Sequence, residues 1–259
     1  MSREKRLIVT ISVGEEAARL RRFSEALLRS YAHSCQAQFD FLEPSNLSES
    51  TGKPTYEKFQ IGRLLEVYDR VLFVDIDILV RPGAPDVFEF VPPGDLGVVS
   101  VDRVFSRVVD EKRLSQKILG EIDWGKPYFT AGVMLFSRIH RPLLDEGRCA
   151  VEYWHSEKLR RGEVGKNDQT LFNYFSNSLD YSLYDMGCSF NYTRAWRGWH
   201  TRFKHWFIHY AGLVGNREWQ MRRDFRILMN PALSALHRSV PAVTWLGDRL
   251  HGVIRSYGR

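Results

Sequence analysis

The sequence is poor in features that mark several protein classes. Its 259 residues include only three cysteines, Cys35, Cys149 and Cys188. Their scatter fits neither a metal-ligand spacing nor a disulfide framework. An odd, sparse set suits a reducing compartment, where a free thiol is usually a small core residue. No stretch stays apolar long enough to cross a bilayer. The first residues, MSREKRLIVT, are charged and then briefly apolar; the run breaks at Thr10 and Ser12 without a small-residue cleavage site, a poor secretory signal. These absences point to the cytoplasm. There is no internal repeat, no low-complexity tract and no recognised nucleic-acid-binding module, so a nucleic-acid partner is not expected.

What is present describes a packed protein. Hydrophobic residues make up 44% and charged residues 26%, which excludes disorder, and the length suits one large α/β domain with a short appendage. The net charge of +6 is unevenly spread. Residues 217–259 hold eight arginines, no lysine and three acids, Glu218, Asp224 and Asp248, and so carry +5 of it.

Hydrophobic periodicity predicts alternating strands and helices. Residues 7–13 read as a first strand and 15–31 as a helix with Ala18, Phe23, Ala26, Leu27 and Leu28 at helical intervals. Strands follow at 37–42, 71–74, 96–101, 128–137 and 207–209. Helices are predicted at 56–68, 109–119, 143–160 and from 168 onward, with a polar loop at 44–54. The pattern implies a mostly parallel sheet covered on both faces, and the unbroken apolar runs suit central strands.

Asp75 and Asp77 stand where one such run ends. Inside the strand each unpaired carboxylate would cost several kcal/mol. At its carboxyl end both can reach the crevice where open α/β sheets bind ligands. Two carboxylates this close repel, and a divalent cation with oxygen preference relieves the conflict. A strand-end acid pair can also cap a helix or face solvent. Haloacid-dehalogenase-type phosphatases share the local pattern, but usually have Thr or Val where Leu79 stands and usually carry the pair on their first strand.

Four segments in order resemble glycosyltransferase family 8, the group that includes glycogenin and the bacterial lipopolysaccharide galactosyltransferases. They are residues 58–80 (KFQIGRLLEVYDRVLFVDIDILV), 128–136 (YFTAGVMLF), 167–173 (NDQTLFN) and 207–212 (FIHYAG). The resemblance implies a GT-A fold over residues 1–220: a single Rossmann-like nucleotide-binding domain with a mostly parallel central sheet flanked by helices. It implies a retaining transferase that uses a nucleotide sugar, UDP-linked, and a glycan or lipid-linked acceptor. Asp75, Asp77 and His209 would hold Mn²⁺ or Mg²⁺, with the imidazole favouring Mn²⁺. Lys58 would lie near the phosphates or donor sugar. Thr10 and Ser12 would meet the nucleoside, Ile76 and Gly212 would flank the donor, and Asp102 would bond sugar hydroxyls. Ala131 and Gly132 would let backbone approach the sugar. Asp168 and Gln169 would sit by the reacting carbon, Gln169 as an electrostatic helper.

Competing readings stand beside these. His209 could be a core histidine among aromatic neighbours, Lys58 a solvated helix lysine, and Asp168 only an N-cap. Three positions depart from the family pattern: Thr130 where Asn is common, Ile76 where a small residue is usual, and Gly215 to Trp219 (GNREW) where Lys-Pro-Trp is usual. The departures leave room for a nucleotide-sugar-binding module without turnover. In the tail, residues 221–259, Trp245, Leu246, Leu250, Val253 and Ile254 recur at helical spacing with Arg249 and Arg255 nearby. Such a basic amphipathic helix can touch a membrane surface or pack on the domain.

Overall fold

The computed structural model describes residues 4–102, 107–163, 165, 167–194, 196, 198–212 and 217–256, with side chains up to Arg249. Its centre is the apolar run ahead of the acid pair. Strand β1 (Arg6–Ile11) leads through Gly14, whose φ of 88° only glycine adopts freely, into helix α1 (Glu15–Ser34). Strand β2 (Gln38–Leu42) follows.

The segment 44–54 is not wholly a loop. It contains helix α2 (Asn46–Thr51), capped by Ser45 Oγ accepting from Leu47 N. The Glu57 carboxylate also accepts from Ser45 N and Ser48 N at 2.8 and 2.9 Å. That second cap arrives from beyond the segment, so a local polar pattern could not announce it. The helix predicted at 56–68 begins earlier and winds tighter, as a 3₁₀ turn (Pro54–Gln60) running into α3 (Ile61–Leu64). Pro54 at its first position accounts for the early start, because its φ is already helical.

Next come β3 (Arg70–Val74), β4 (Ile78–Val80), α4 (Val87–Phe90), β5 (Leu96–Ser100), α5 (Val108–Leu119) and β6 (Phe129–Ser137). Helices α6 (Arg141–Arg160) and α7 (Asp168–Ser178) precede three short strands, β7 (Leu183–Asp185), β8 (Tyr192–Thr193) and β9 (Phe207–His209). Helices α8 (Arg217–Leu228), α9 (Pro231–Ser239) and α10 (Pro241–Ser256) end the chain.

The main sheet has the order β2-β1-β3-β6-β5-β7. All its strands run one way except β6, which is antiparallel to both neighbours. Its two faces feed two cores. Ile8, Leu72, Val74, Val133 and Leu135 pack with α1, while Val9, Val71, Phe73, Met134 and Phe136 pack under α6 and α7. This period-two division is what a strand buried on both faces requires, and each such side chain contributes about 1.5–3 kcal/mol. A second sheet, β4-β9-β8, continues from the end of β3.

The basic segment after residue 220 is partly core. Met221, Ile227 and Leu228 belong to the α1-side cluster. Arg202, wholly buried, donates to both oxygens of Asp224 (2.5 and 3.2 Å) and of Asp248 (2.9 and 3.1 Å), which ties α8 and α10 to the body. Among the described residues no helix is long and apolar enough to cross a membrane.

Candidate active site

The site forms where the two sheets part. After Val74 the chain leaves the main sheet: Asp75 N donates to Gly132 O of β6 (2.9 Å), and Ile78 N donates to Asp75 O (3.1 Å). Residues 75–77 thus make a tight turn that points both carboxylates off the strand end. The next strand, β4, pairs antiparallel with β9 so that Ile78 stands opposite His209, and Tyr210 N donates to Asp77 O (2.9 Å). The register of the small sheet therefore delivers the histidine to the acids.

One ligand atom from each of Asp75, Asp77 and His209 lies within 4.8 Å of the others. His209 Nε2 is 3.1 Å from Asp77 Oδ1 and 3.8 Å from Asp75 Oδ2. Two carboxylates and an imidazole nitrogen converging on one point are a donor set suited to a divalent cation. Burial pushes the Asp75 carboxyl up to about 6, against the pull of Lys58 and His209. Burial also pushes Asp77 up, but His209 and then Arg217 overcome it and hold Asp77 at about 2. Burial disfavours the imidazolium of His209, yet the facing Asp77 and Asp75 raise it above its ordinary value.

Two cations flank the acids. Lys58 is 3% exposed, which rules out a solvated lysine. Its Nζ lies 3.1 Å from Asp75 Oδ1 and 2.8 Å from Asp168 Oδ2, and donates to Ala131 O at 2.9 Å. Arg217 reaches Asp77 Oδ2 at 3.3 Å and donates to Gly212 O at 2.9 Å. Asp168 and Gln169 open α7, whose Asn173 clamps the start of β6 by exchanging hydrogen bonds with Phe129 N and O, both 2.8 Å. Lys158 pins the residue before Asp168, donating to Gly165 O and Asn167 Oδ1.

These groups line a cavity of about 490 Å³. Of the residues singled out from the sequence, Lys58, Asp75, Ile76, Asp77, Ala131, Gly132, Asp168, Gln169, His209 and Gly212 face it together. Thr10, Ser12 and Asp102 are not in the lining. Thr10 is wholly buried and its hydroxyl has no partner among the described residues. Ser12 sits between Ile11 and Val13, which do line the cavity. Asp102 is exposed and accepts from Tyr128 N (2.9 Å), closing the β5–β6 end.

Sequence reasoning missed the contribution of α1, through Glu16, Ala17 and Leu20, and of Thr55. It also missed Asn191, 1% exposed, whose Oδ1 lies 2.6 Å from His209 Nδ1. No spacing singles out an asparagine in an irregular segment. Residues 103–106, 213–216 and 257–259, which include Arg103, Gly215 and Arg259, lie outside the described residues, as do the side chains of Leu250, Val253, Ile254 and Arg255.

The sequence model described as glycosyl transferase family 8 matches residues 13–217. The chain belongs to that family. This agrees with the resemblance carried by the four motifs and sets aside the phosphatase reading. No curated protein matches the chain in sequence. Solved structures match it in fold. The galactosyltransferase LgtC in complex with donor and acceptor sugar analogs superposes with a TM-score of 0.57 at 17% identity, over 86% of this chain and 94% of that one. An active-site mutant of LgtC gives 0.60 at 16% identity, over 86% and 95%. A glycosyltransferase involved in glycosylation of the major capsid of PBCV-1 gives 0.56 at 12% identity, over 85% and 99%. The fold is thus that of the GT-A glycosyltransferases, and this family 8 member is a glycosyltransferase.

Proposed function

We propose that the protein is a metal-dependent retaining transferase that moves a sugar from a UDP-sugar to a glycan or lipid-linked saccharide. The carrying observation is the convergence of Asp75, Asp77 and His209 on one point of a cavity that Lys58 and Arg217 also enter. In this reading the three residues hold Mn²⁺, or Mg²⁺, and the nitrogen ligand favours Mn²⁺. The ion, when bound, supplies Lewis-acid neutralisation of the departing diphosphate.

The remaining work belongs to the chain. Arg217, now paired with Asp77, transfers to a phosphate oxygen and replaces the lysine common in this family. Lys58 keeps Asp75 and Asp168 at a fixed separation and adds positive charge beside the donor. Ala131 and Gly132 offer backbone to the sugar, with Ile76 and Gly212 beside the donor. Asp168 and Gln169 face the reacting carbon, where the departing phosphate accepts the acceptor's proton on the same face. Thr10 and Ser12 would meet the nucleoside where Ile11 and Val13 open into the cavity, and Asp102 would bond sugar hydroxyls, although none of the three is itself in the lining.

The transferase domain is assigned to residues 1–220 and the basic tail to 221–259, in a cytoplasmic protein that touches a membrane peripherally. Leu233, Leu236, Val240, Trp245 and Leu246 are exposed on α9 and α10, and Arg249 stacks over Trp245 (4.3 Å). Apolar side chains beside arginines suit an anionic lipid surface.

UDP with Mn²⁺ is expected to raise the melting temperature, as any ligand of the folded state does, and Asp77→Ala to abolish the rise. A donor-hydrolysis screen of UDP- and GDP-sugars with Mn²⁺ identifies the donor. Absence of any shift and any hydrolysis would overturn the reading. Sedimentation with phosphatidylglycerol vesicles but not phosphatidylcholine vesicles tests the tail.

A further inference from the structure

We propose that Asn191 is a positioning residue that fixes which nitrogen of His209 faces the acids as a free ligand. The inference rests on the metal reading above.

Three contacts carry it. Asn191 Oδ1 lies 2.6 Å from His209 Nδ1, the strongest polar contact of a side chain that is almost wholly buried. The other end of the amide, Nδ2, donates to Thr130 Oγ1 at 3.3 Å. That hydroxyl oxygen also accepts from Gly132 N at 3.3 Å. With its nitrogen turned to Thr130, Asn191 presents oxygen to His209, and oxygen can only accept. His209 Nδ1 therefore carries hydrogen. In the neutral ring Nε2 is then the nitrogen with a lone pair, and Nε2 is the atom beside Asp77 and Asp75. With the amide turned the other way, hydrogen would sit on Nε2 and block it as a ligand.

Packing brings the ring close to β6. A Cβ on Gly132 would lie 2.6 Å from His209 Cε1, 2.9 Å from Nδ1 and 3.1 Å from Asn191 Nδ2. Imidazole and amide therefore both lie close against bare β6 backbone at Gly132. Thr130, which departs from the family's usual asparagine, accepts from the Asn191 amide nitrogen in this orientation.

The test uses the full chain. In the wild type loaded with diamagnetic Mg²⁺, ¹⁵N imidazole NMR is expected to show His209 protonated at Nδ1 and bare at Nε2. Mn²⁺ titration followed by electron paramagnetic resonance is expected to show affinity falling about 10-fold or more in Asn191→Leu, the usual effect of losing a partner behind a ligating histidine. Asn191→Asp keeps the acceptor and should stay within a few-fold of wild type; it also serves if the leucine variant does not fold. Equal Mn²⁺ affinity in wild type and Asn191→Leu overturns the role of Asn191 and leaves the metal reading standing; hydrogen on Nε2 with Mg²⁺ bound overturns it and also removes His209 from the ligand set. If the wild type takes up no Mn²⁺, the metal reading falls and this one with it.

Discussion

Lys58 Nζ stands 2.8 Å from Asp168 Oδ2, joining the 3₁₀ turn on one side of the cavity to the first residue of α7 on the other. The same ammonium is 3.1 Å from Asp75 Oδ1. One buried charge thus holds two acids that would otherwise repel. Lys58→Met leaves both carboxylates without their cation and should destabilise the protein by about 3 kcal/mol, the scale of breaking a buried pair from one side. Urea unfolding checks this. Lys58→Arg keeps the charge and should fall between wild type and Lys58→Met, while donor hydrolysis drops at least 10-fold in both, because the larger guanidinium moves Asp168.

Gly132→Ala should fold and yet lose the site. The new methyl meets His209 and Asn191 at 2.6–3.1 Å, and overpacking of this kind costs about 1–3 kcal/mol. The strain is relieved most simply by moving His209 off the acids. The expected signature is a melting temperature a few degrees lower together with loss of the extra rise that UDP and Mn²⁺ give the wild type. Retention of that rise would count against the geometry described here.

Acid should weaken the attachment of the C-terminal helices. Burial pushes the Asp224 carboxyl up, but Arg202 and then Arg223 hold it below its ordinary value of 3.8. A lowered carboxyl contributes stability above its unfolded-state value, and that contribution is lost as pH falls through the folded-state value. Urea midpoints should therefore be flat in this contribution near neutrality and drop below about pH 4. Asp224→Asn should cost about 3 kcal/mol at pH 7, with a shallower acid limb.

The three thiols should react in order of access. Cys35 is wholly buried, and burial pushes its thiol up to about 12. Cys149 is exposed on α6, and Cys188 is half-buried and raised by burial. A maleimide added to the native protein should label Cys149 first, and Cys35 only on unfolding. Early labelling of Cys35 would contradict the α1 packing.

Much of the fold was legible because long apolar runs and helical periods are local properties. Residues 71–74 and 207–209 read as strands from their composition, and Asp75 and Asp77 follow from where the first of them ends, whereas Asp168 and Gln169 come only through the family resemblance. The rest depends on partners far away in the chain. Helix α2 needs Glu57 as a cap. The partners of β9 in the second sheet, β4 and β8, are strands of three and two residues, too short to show a period. Asn191 acts only through His209, and no spacing in the sequence connects them. The first strand, read as 7–13, ends at Ile11, and it is Ile11 and Val13 rather than Thr10 that reach the lining.

The reversed strand has a consequence for how specificity can vary. Because β6 runs against β3, its first residues rather than its last reach the rim beside Asp75. The stretch that enters β6 packs against the far end of α7, where Lys126 N donates to Asn177 Oδ1 (3.1 Å), and only from Thr130 onward does the strand reach the cavity. Exchanges at Thr130, Ala131 and Gly132, the early residues of β6 that line the cavity, can remodel what the cleft admits, whereas Ser137 lies at the opposite end of the strand, paired with Arg70. Relatives with different specificities should differ at those early residues of β6 rather than at its end.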